Sequence, residues 1–424
     1  MQRREFMQSI AASIAALGVL PQAAHAATNA LDRLRRQIGT ADDALWQTIR
    51  KSFIIKPGLT HLNCGSLGAC PQLVVDGVAQ FMRELEQDPV HQTWGPLGRA
   101  AEIVRAQAAA FIGAAPDEVA ITNSTTAGMN AIASGLRLEP GDEILTTNHE
   151  HHGGLSCWEF LARRDGVRIV QIKMPVPLTH ADLFLSLVEK HLTPRTRVCS
   201  FCHIDTLTGA QLPIQAIAKL LRARKILLVC DGAQAPGMLK VNVKQLGVDA
   251  YASSSHKWML APKGSGLLYI RAATQDRIQP IDLRSGFGVY TGSTGTRNIP
   301  QILGHGLAMD FHNTIGRANV EARCRELCAG VRKALAKFDW LESITPEPPT
   351  LTSAIVSFKL LRGSSNLLVN ELRARHNIAI KGLPPTHSVD PSVPSENYNA
   401  IRISTHVFND EADIARLAEA LADV

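Results

Sequence analysis

Asp249-Ala250-Tyr251-Ala252-Ser253-Ser254-Ser255-His256-Lys257-Trp258 is followed by Met259-Leu260-Ala261-Pro262-Lys263-Gly264-Ser265-Gly266 and then by Leu267-Leu268-Tyr269-Ile270. Ala250–Ser253 and Leu267–Ile270 have the composition of short strands, and Ala261–Gly266 that of a glycine-rich turn. Lys257 is thereby placed on a loop between two strands, beside an imidazole and three hydroxyls. A lysine amine can form an imine with an aldehyde cofactor, and hydroxyls with an imidazole can hold a phosphate. A serine-rich loop with a lysine is also ordinary solvated surface, so this stretch alone leaves both readings open.

Outward from it, strand and helix patterns alternate. Strands are expected at Val119–Thr122, Glu143–Thr147, Arg168–Ile172, Val198–His203 and Ile226–Asp231, besides the two flanking Lys257. Helices are expected at Thr126–Leu136, Leu155–Arg164, Thr179–His191 and Ile214–Arg224. Near-continuous apolar strands such as Ile226-Leu227-Leu228-Val229 suit a sheet covered on both faces. The alternation predicts an α/β fold with a seven-stranded, mostly parallel sheet. Upstream lie three helical patterns, Leu31–Lys51, Val74–Asp88 and Arg99–Phe111, with a glycine turn at Leu62–Gly68 between the first two. From about Leu303 the texture shifts to long helical patterns over Ala308–Phe338, two strands (Ala354–Lys359, Ala400–Ser404) and helices at Ser365–His376 and Asp410–Ala422. That predicts a smaller C-terminal α+β domain. The expected division is 1–26, 27–60 (a helical segment), 61–302 (the large domain) and 303–424. Lys381–Asn397, rich in Pro, Ser, Asn and His, is expected to form a loop over the site.

A chain of 424 residues with 45% hydrophobic and 19% charged residues has ordinary globular composition. The net charge of +6 comes without a basic block, which gives nucleic-acid binding no support. Residues 1–26 have the order of an export signal: Arg3-Arg4, an alanine-rich apolar run from Ile10 to Leu20, and Ala24-His25-Ala26. The arginine pair followed by Phe6 resembles a twin-arginine signal, departing from it at Gln2, Met7 and Gln8, and predicts a periplasmic protein. The apolar run is too short to span a bilayer. Of the eight cysteines, several sit in apolar runs as small core residues. Cys199 and Cys202 have CxxC spacing, but on a strand such residues face opposite ways, against a metal or redox pair.

In a parallel α/β sheet, ligands gather at the carboxyl ends of strands. After the first strand, Ser124-Thr125-Thr126 opens a helix whose free N–H groups suit a phosphate, or are simply capped. After the second comes Asn148-His149-Glu150-His151-His152-Gly153-Gly154, where an imidazole could lie flat on an aromatic ring. The spacing of its three histidines is not that of a zinc motif, and no metal is expected. The fifth strand ends in Asp231-Gly232-Ala233-Gln234, a carboxylate suited to a cationic ring nitrogen, or a common turn. One ligand fits all four elements together: pyridoxal 5′-phosphate (PLP).

At these positions the chain resembles the class V aminotransferase-like PLP enzymes of fold type I, which include the cysteine desulfurases, and within them the isopenicillin N epimerase-like branch. The resemblance is carried by Thr122–Asn130, Asn148–His152, Asp231–Gly237, Val248–Tyr251, His256–Gly266 (HKWMLAPKGSG), Gly295-Thr296-Arg297-Asn298, Arg402-Ile403-Ser404 with Phe408-Asn409, and Leu62–Gly68. It implies that Lys257 binds the cofactor as an imine and moves the Cα proton. Asp231 would keep the pyridine nitrogen protonated, Gln234 would hydrogen-bond the phenolic oxygen, and His151 would stack on the ring. Thr125, Thr126, Ser254 and His256 would hold the phosphate. Thr296 would reach the phosphate of a neighbouring subunit, which implies a homodimer with shared sites. Arg402, with Asn63 in the entry motif, would bind the substrate carboxylate, a task that a guanidinium's geometry suits.

The resemblance implies an enzyme acting at the α-carbon of an amino acid or a peptidyl amino group. Epimerisation, transamination and elimination begin with the same step, so an aminotransferase or lyase that tailors a secreted peptide such as a siderophore is an alternative. A desulfurase needs a cysteine in the loop before the final strands, and Lys381–Asn397 has none. A non-catalytic binding protein of this fold is disfavoured by the intact Lys257 and Asp231. A metal hydrolase built on His149, His151 and His152 is the third alternative. All of this requires that Lys257 and Asp231 face one cavity.

Overall fold

The computed structural model describes residues 42–423 together with Leu31, Asp32, Leu34 and Arg36; the expected export segment lies outside them. The large sheet has seven strands: β2 (Val119–Thr122), β3 (Glu143–Thr147), β4 (Arg168–Ile172), β5 (Thr196–Cys202), β6 (Leu227–Asp231), β7 (Ala250–Ser254) and β8 (Gly266–Ile270). Their order is β2-β8-β7-β6-β5-β3-β4. Every neighbouring pair is parallel except those of β8, which runs antiparallel to both β2 and β7.

Both faces of this sheet are covered, and the strand pattern shows why. Successive side chains of a strand point to opposite faces. Leu228 and Cys230 join one core with Leu145, Tyr251 and Tyr269. Leu227 and Val229 join the other with Ile144, Ala252, Leu268 and Trp158. Each of these strands therefore has to be apolar at every position, which is the run read from the sequence. Their carboxyl ends converge on one edge of the sheet. There the helices α5 (Thr125–Ser134) and α6 (His152–Asp165) present their N-termini.

The C-terminal part packs a four-stranded antiparallel sheet, β12 (Lys381–Gly382), β13 (Ala400–Ser404), β10 (Ile355–Leu360) and β9 (Leu341–Ser343), on helices Ser365–His376 and Glu411–Ala422. The helical stretch expected over Ala308–Phe338 is two helices, Ile299–Ile315 and Arg317–Leu335. Gly316 separates them at φ +92°, a backbone conformation that side-chain-bearing residues rarely adopt. Helix Ile299–Ile315 is buried along most of its length, and Gly304 meets Val78 of helix Gln72–Gln87 where a Cβ would collide. The first helical pattern contains the helix Asp42–Arg50, with Leu34 and Ile49 buried.

The entry stretch ties the two parts together. β1 (Thr60–His61) pairs in parallel with β11 (Ile378–Ala379). Cys64 N–H then donates to Ser404 O at 3.1 Å, and Gly68 N–H to His256 O at 3.0 Å. Gly68 lies so close to the Lys257 carbonyl that any side chain there would overlap it. All eight cysteines are free thiols and seven are buried. Among the described residues no helix is long and apolar enough to cross a membrane.

Candidate functional site

A cavity of about 250 Å³ opens at the carboxyl edge of the large sheet. Its wall contains Lys257, Asp231, His151, Thr125, Thr126, Gln234, Ser254, His256 and Arg402. Nine of the eleven residues singled out from the sequence thus face one space, contributed by the ends of β6 and β7, by the N-termini of α5 and α6, and by β13. Asn63 reaches it through Arg402, whose Nη2 donates to Asn63 Oδ1 at 3.2 Å. Thr296 does not; it lines a separate cleft with Thr122, Asn123 and Arg297.

Lys257 makes no ion pair or hydrogen bond through its amine among the described residues. Burial, only partly offset by Asp231, pushes that amine down to about 8, and Arg402 and Lys381 push the same way. Asp231 closes β6 and is buried. Ala233 N–H donates to its Oδ1 at 2.8 Å. A Cβ on Gly154 would lie 2.5 Å from Asp231 Oδ2, so the start of α6 can approach the carboxylate only as glycine.

Behind Asp231 lies Glu150, also buried. Burial first, then the charge of Asp231, raises Glu150 to about 8; Thr147 Oγ1 donates to it at 2.9 Å. Burial also raises Asp231, but its amide hydrogen bond and Lys257 oppose that. Glu150 thus carries the proton at neutral pH, while at Asp231 the Ala233 amide and Lys257 favour the charged form.

His151 caps α6: its Nδ1 accepts from Gly153 N–H at 3.0 Å. An accepting Nδ1 places the ring proton on Nε2. Burial and the nearby Lys257, Lys381 and Arg402 hold this imidazole at about 4, so the ring is neutral at the cavity mouth. Its neighbours point elsewhere. His149 is bound between Asp205 Oδ2 (2.8 Å) and Tyr398 OH (2.9 Å), and His152 turns outward to His387. The three histidines do not converge on a common point.

On the opposite wall, Ser124 caps α5 by accepting from Ala127 N–H at 3.1 Å. Ser254 Oγ accepts from Thr125 N–H and exchanges a hydrogen bond with Thr125 Oγ1, both at 2.8 Å. This is a hydroxyl-lined helix N-terminus, suited to a phosphate. Gln234 is fully engaged. Trp258 Nε1 donates to its Oε1 at 2.7 Å, and its Nε2 donates to Gly65 O (3.0 Å) and Thr206 Oγ1 (3.1 Å). The indole donor fixes the amide's orientation, and the two Nε2 donors are spent within the protein on Gly65 and Thr206.

Arg402 is 2% exposed and forms no ion pair among the described residues, with Asp205 the acid that acts on it at longer range. Its Nη1 donates to Thr206 Oγ1 at 2.6 Å and its Nη2 to Ser66 Oγ at 3.0 Å, while Nε is buried without a partner. Burial lowers it to about 10. A guanidinium buried without a carboxylate is destabilising unless a ligand supplies one. Lys381, Thr206 and Ser66 line the cavity, Glu150 feels the charge of Asp231 on its wall, and none of the four was named as a site residue from the sequence. Ser66 stood in the entry motif. Lys381 pairs in register with Arg402 across β12 and β13, so the two share a sheet face, a relation that no local signal carries.

The site fits PLP by its own chemistry. An amine without an ion pair among the described residues, the carboxyl group of Asp231 and a phosphate-type helix terminus border one cavity, with a neutral flat imidazole at its mouth. Cys64, close behind Lys257, is fully buried and its thiol is raised far above its ordinary value, so it offers no thiolate.

Comparison with known proteins agrees. The family profile described as aminotransferase class-V matches residues 68–417. Isopenicillin N epimerase from Amycolatopsis lactamdurans is 32% identical over 402 residues, covering 89% of this chain and 98% of that protein. Its counterpart from Streptomyces clavuligerus is 31% identical, covering 89% and 97%. A probable cysteine desulfurase from Vibrio cholerae is 28% identical, covering 86% and 93%. Among solved structures, the cystine C-S lyase C-DES in complex with its product cysteine persulfide superposes with a TM-score of 0.76 at 25% identity, covering 87% of this chain and 98% of that one. A lysine-to-alanine mutant of C-DES, with glycine covalently linked to its PLP cofactor, gives a TM-score of 0.78 at 24% identity, covering 88% and 99%.

Proposed function

Because the chain belongs to the class-V aminotransferase family of PLP enzymes, we propose that it acts at the α-carbon of an amino acid or a peptidyl amino group, in the manner of an isopenicillin N epimerase. The carrying observation is the cavity that holds Lys257, Asp231 and Arg402 together, with neither Lys257 nor Arg402 in an ion pair among the described residues. PLP bound there supplies an electrophilic carbonyl for amines and a ring that takes up negative charge from the α-carbon. Each side chain has a separate task. Arg402 holds the substrate carboxylate and so sets which bond at the α-carbon faces Lys257. The Lys257 amine, uncharged above about pH 8, takes a proton from that carbon and returns one. Asp231 supplies a carboxylate for a cationic ring nitrogen, and the protonated Glu150 avoids adding a second charge near it. The neutral His151 covers the cavity mouth.

Export through a twin-arginine route to the periplasm is part of the same reading and rests on Arg3-Arg4 and the apolar run after them. So is a homodimer in which Thr296 reaches the partner's site, since Thr296 lies outside its own chain's cavity. Fractionation of cells carrying wild type and an Arg3→Lys/Arg4→Lys variant tests the first; sedimentation tests the second. The reaction itself is tested by incubating the holoenzyme with amino acids and peptides in deuterium oxide. Deuterium incorporation at Cα, lost in Lys257→Ala, supports the proposal. Inverted product configuration identifies an epimerase, and a keto product an aminotransferase. Cofactor binding with no Cα exchange on any amino acid or peptide would leave a non-catalytic binding protein.

A further inference from the structure

We propose that His152, Glu159 and His387 form a binding site for a divalent transition-metal ion of the zinc class, which latches the 383–399 loop to helix α6 beside the cofactor cavity. The candidate ligand atoms of these three residues lie within 4.8 Å of one another. Two imidazoles and a carboxylate are a donor set that suits zinc and its neighbours, and three protein ligands leave a fourth position for water.

The sequence positions make the juxtaposition. His152 opens α6 and Glu159 follows seven residues later, so at 3.6 residues per turn both lie on one face. His387 reaches that face from a loop that is itself fastened. Its N–H donates to Asn148 O at 3.2 Å, and its carbonyl accepts from Gln171 Nε2 at 2.9 Å. Gln171 Oε1 also accepts from Val389 N–H (2.8 Å) and Asp390 N–H (3.0 Å). His387 Nε2 already faces Glu159 Oε1 at 3.4 Å, and the rings of His152 and His387 are 4.8 Å apart. Two ligands therefore sit on a helix and the third on a pinned loop, which is the support a metal site needs. Bonds of about 2.1 Å place tetrahedral ligands about 3.4 Å apart. The exposed His152 has the side-chain freedom to close the remaining gap.

Placement gives the site its consequence. His151, one residue before His152, caps α6 at the cavity mouth, and Lys381, on the cavity wall, begins the segment that leads to His387. A metal joining them fixes both at once.

The test uses untagged, chelator-treated holoenzyme titrated calorimetrically with Zn²⁺, with Co²⁺ absorption as a second probe of coordination. One ion per chain is expected. Affinity should fall at least tenfold in His387→Ala and in Glu159→Gln, and Zn²⁺ should raise the melting temperature of wild type by about 3 °C at saturating excess but not of either variant. Unchanged cofactor absorbance and circular dichroism show that the variants are folded. Absence of Zn²⁺ binding by wild type, or affinity within threefold of wild type in both folded variants, overturns the proposal. If His387→Ala fails to fold, the isosteric Glu159→Gln decides alone by the same criteria.

Discussion

Replacing Arg402 with methionine separates stability from substrate recognition, because the two effects have different origins in this structure. Burial lowers the guanidinium from its ordinary value to about 10, which corresponds to on the order of 3 kcal/mol against the charged form in the folded protein. Against it stand hydrogen bonds to Thr206, Asn63 and Ser66, worth roughly 1 kcal/mol each net. These nearly cancel, so a methionine of similar length should change unfolding free energy by less than about 1.5 kcal/mol. The substrate carboxylate loses its buried partner, which costs roughly 2–5 kcal/mol, or about 30- to 5,000-fold in KM. Denaturant unfolding of the holoenzyme measures the first quantity, and steady-state kinetics on the Cα-exchange substrate the second. An analogue lacking the carboxylate should bind both proteins alike. A KM within threefold of wild type, with the cofactor absorbance intact, would refute the assignment.

Glu150→Gln removes a carboxyl whose folded pKa of about 8 is raised above its ordinary 4.5. Such a group contributes stability that is fully present below about pH 4.5 and is lost as pH rises through about 8. The variant should therefore gain on wild type across that window, by at most about 5 kcal/mol; parallel pH–stability curves would contradict the burial argument. Loading of cofactor-free protein with PLP should quicken with pH through about 8 and level off above it, since the uncharged Lys257 amine is the nucleophile; a rate still climbing through pH 10 would match an unperturbed lysine instead. Gly154→Ala pushes a methyl against Asp231 Oδ2 and should weaken PLP binding by roughly 5- to 150-fold, equivalent to 1–3 kcal/mol of overpacking. Equilibrium dialysis giving a Kd within twofold of wild type would show that the carboxylate can move aside.

Much of the site was legible because apolar strands announce themselves. Leu227–Val229 must be apolar on both faces, and that run positions Asp231 at its end. The same holds for β7 and the loop carrying Lys257. The hydroxyl-rich start of α5 and the turn before α6 followed from where their strands stop. What stayed hidden depends on tertiary approach. Lys381 enters through the pairing of a two-residue strand with β13, too short to show a pattern. The grip of Thr206 on both Gln234 and Arg402 joins residues far apart in the chain. Nothing local marks Glu150 as protonated, because only burial and the charge of Asp231 alter it. The break at Gly316 was invisible in an apolar pattern that continues on both sides of it.

Reductive trapping offers the most direct check on Lys257 as the residue that holds the cofactor opposite Asp231. The holoenzyme is treated with borohydride, digested, and mapped by mass spectrometry. The reduced PLP adduct should appear on Lys257 and nowhere else, and an Asp231→Ala protein should lose the cofactor's visible absorbance maximum or shift it. An adduct on Lys263 or Lys381, with Lys257 unmodified, would contradict the assignment of the site.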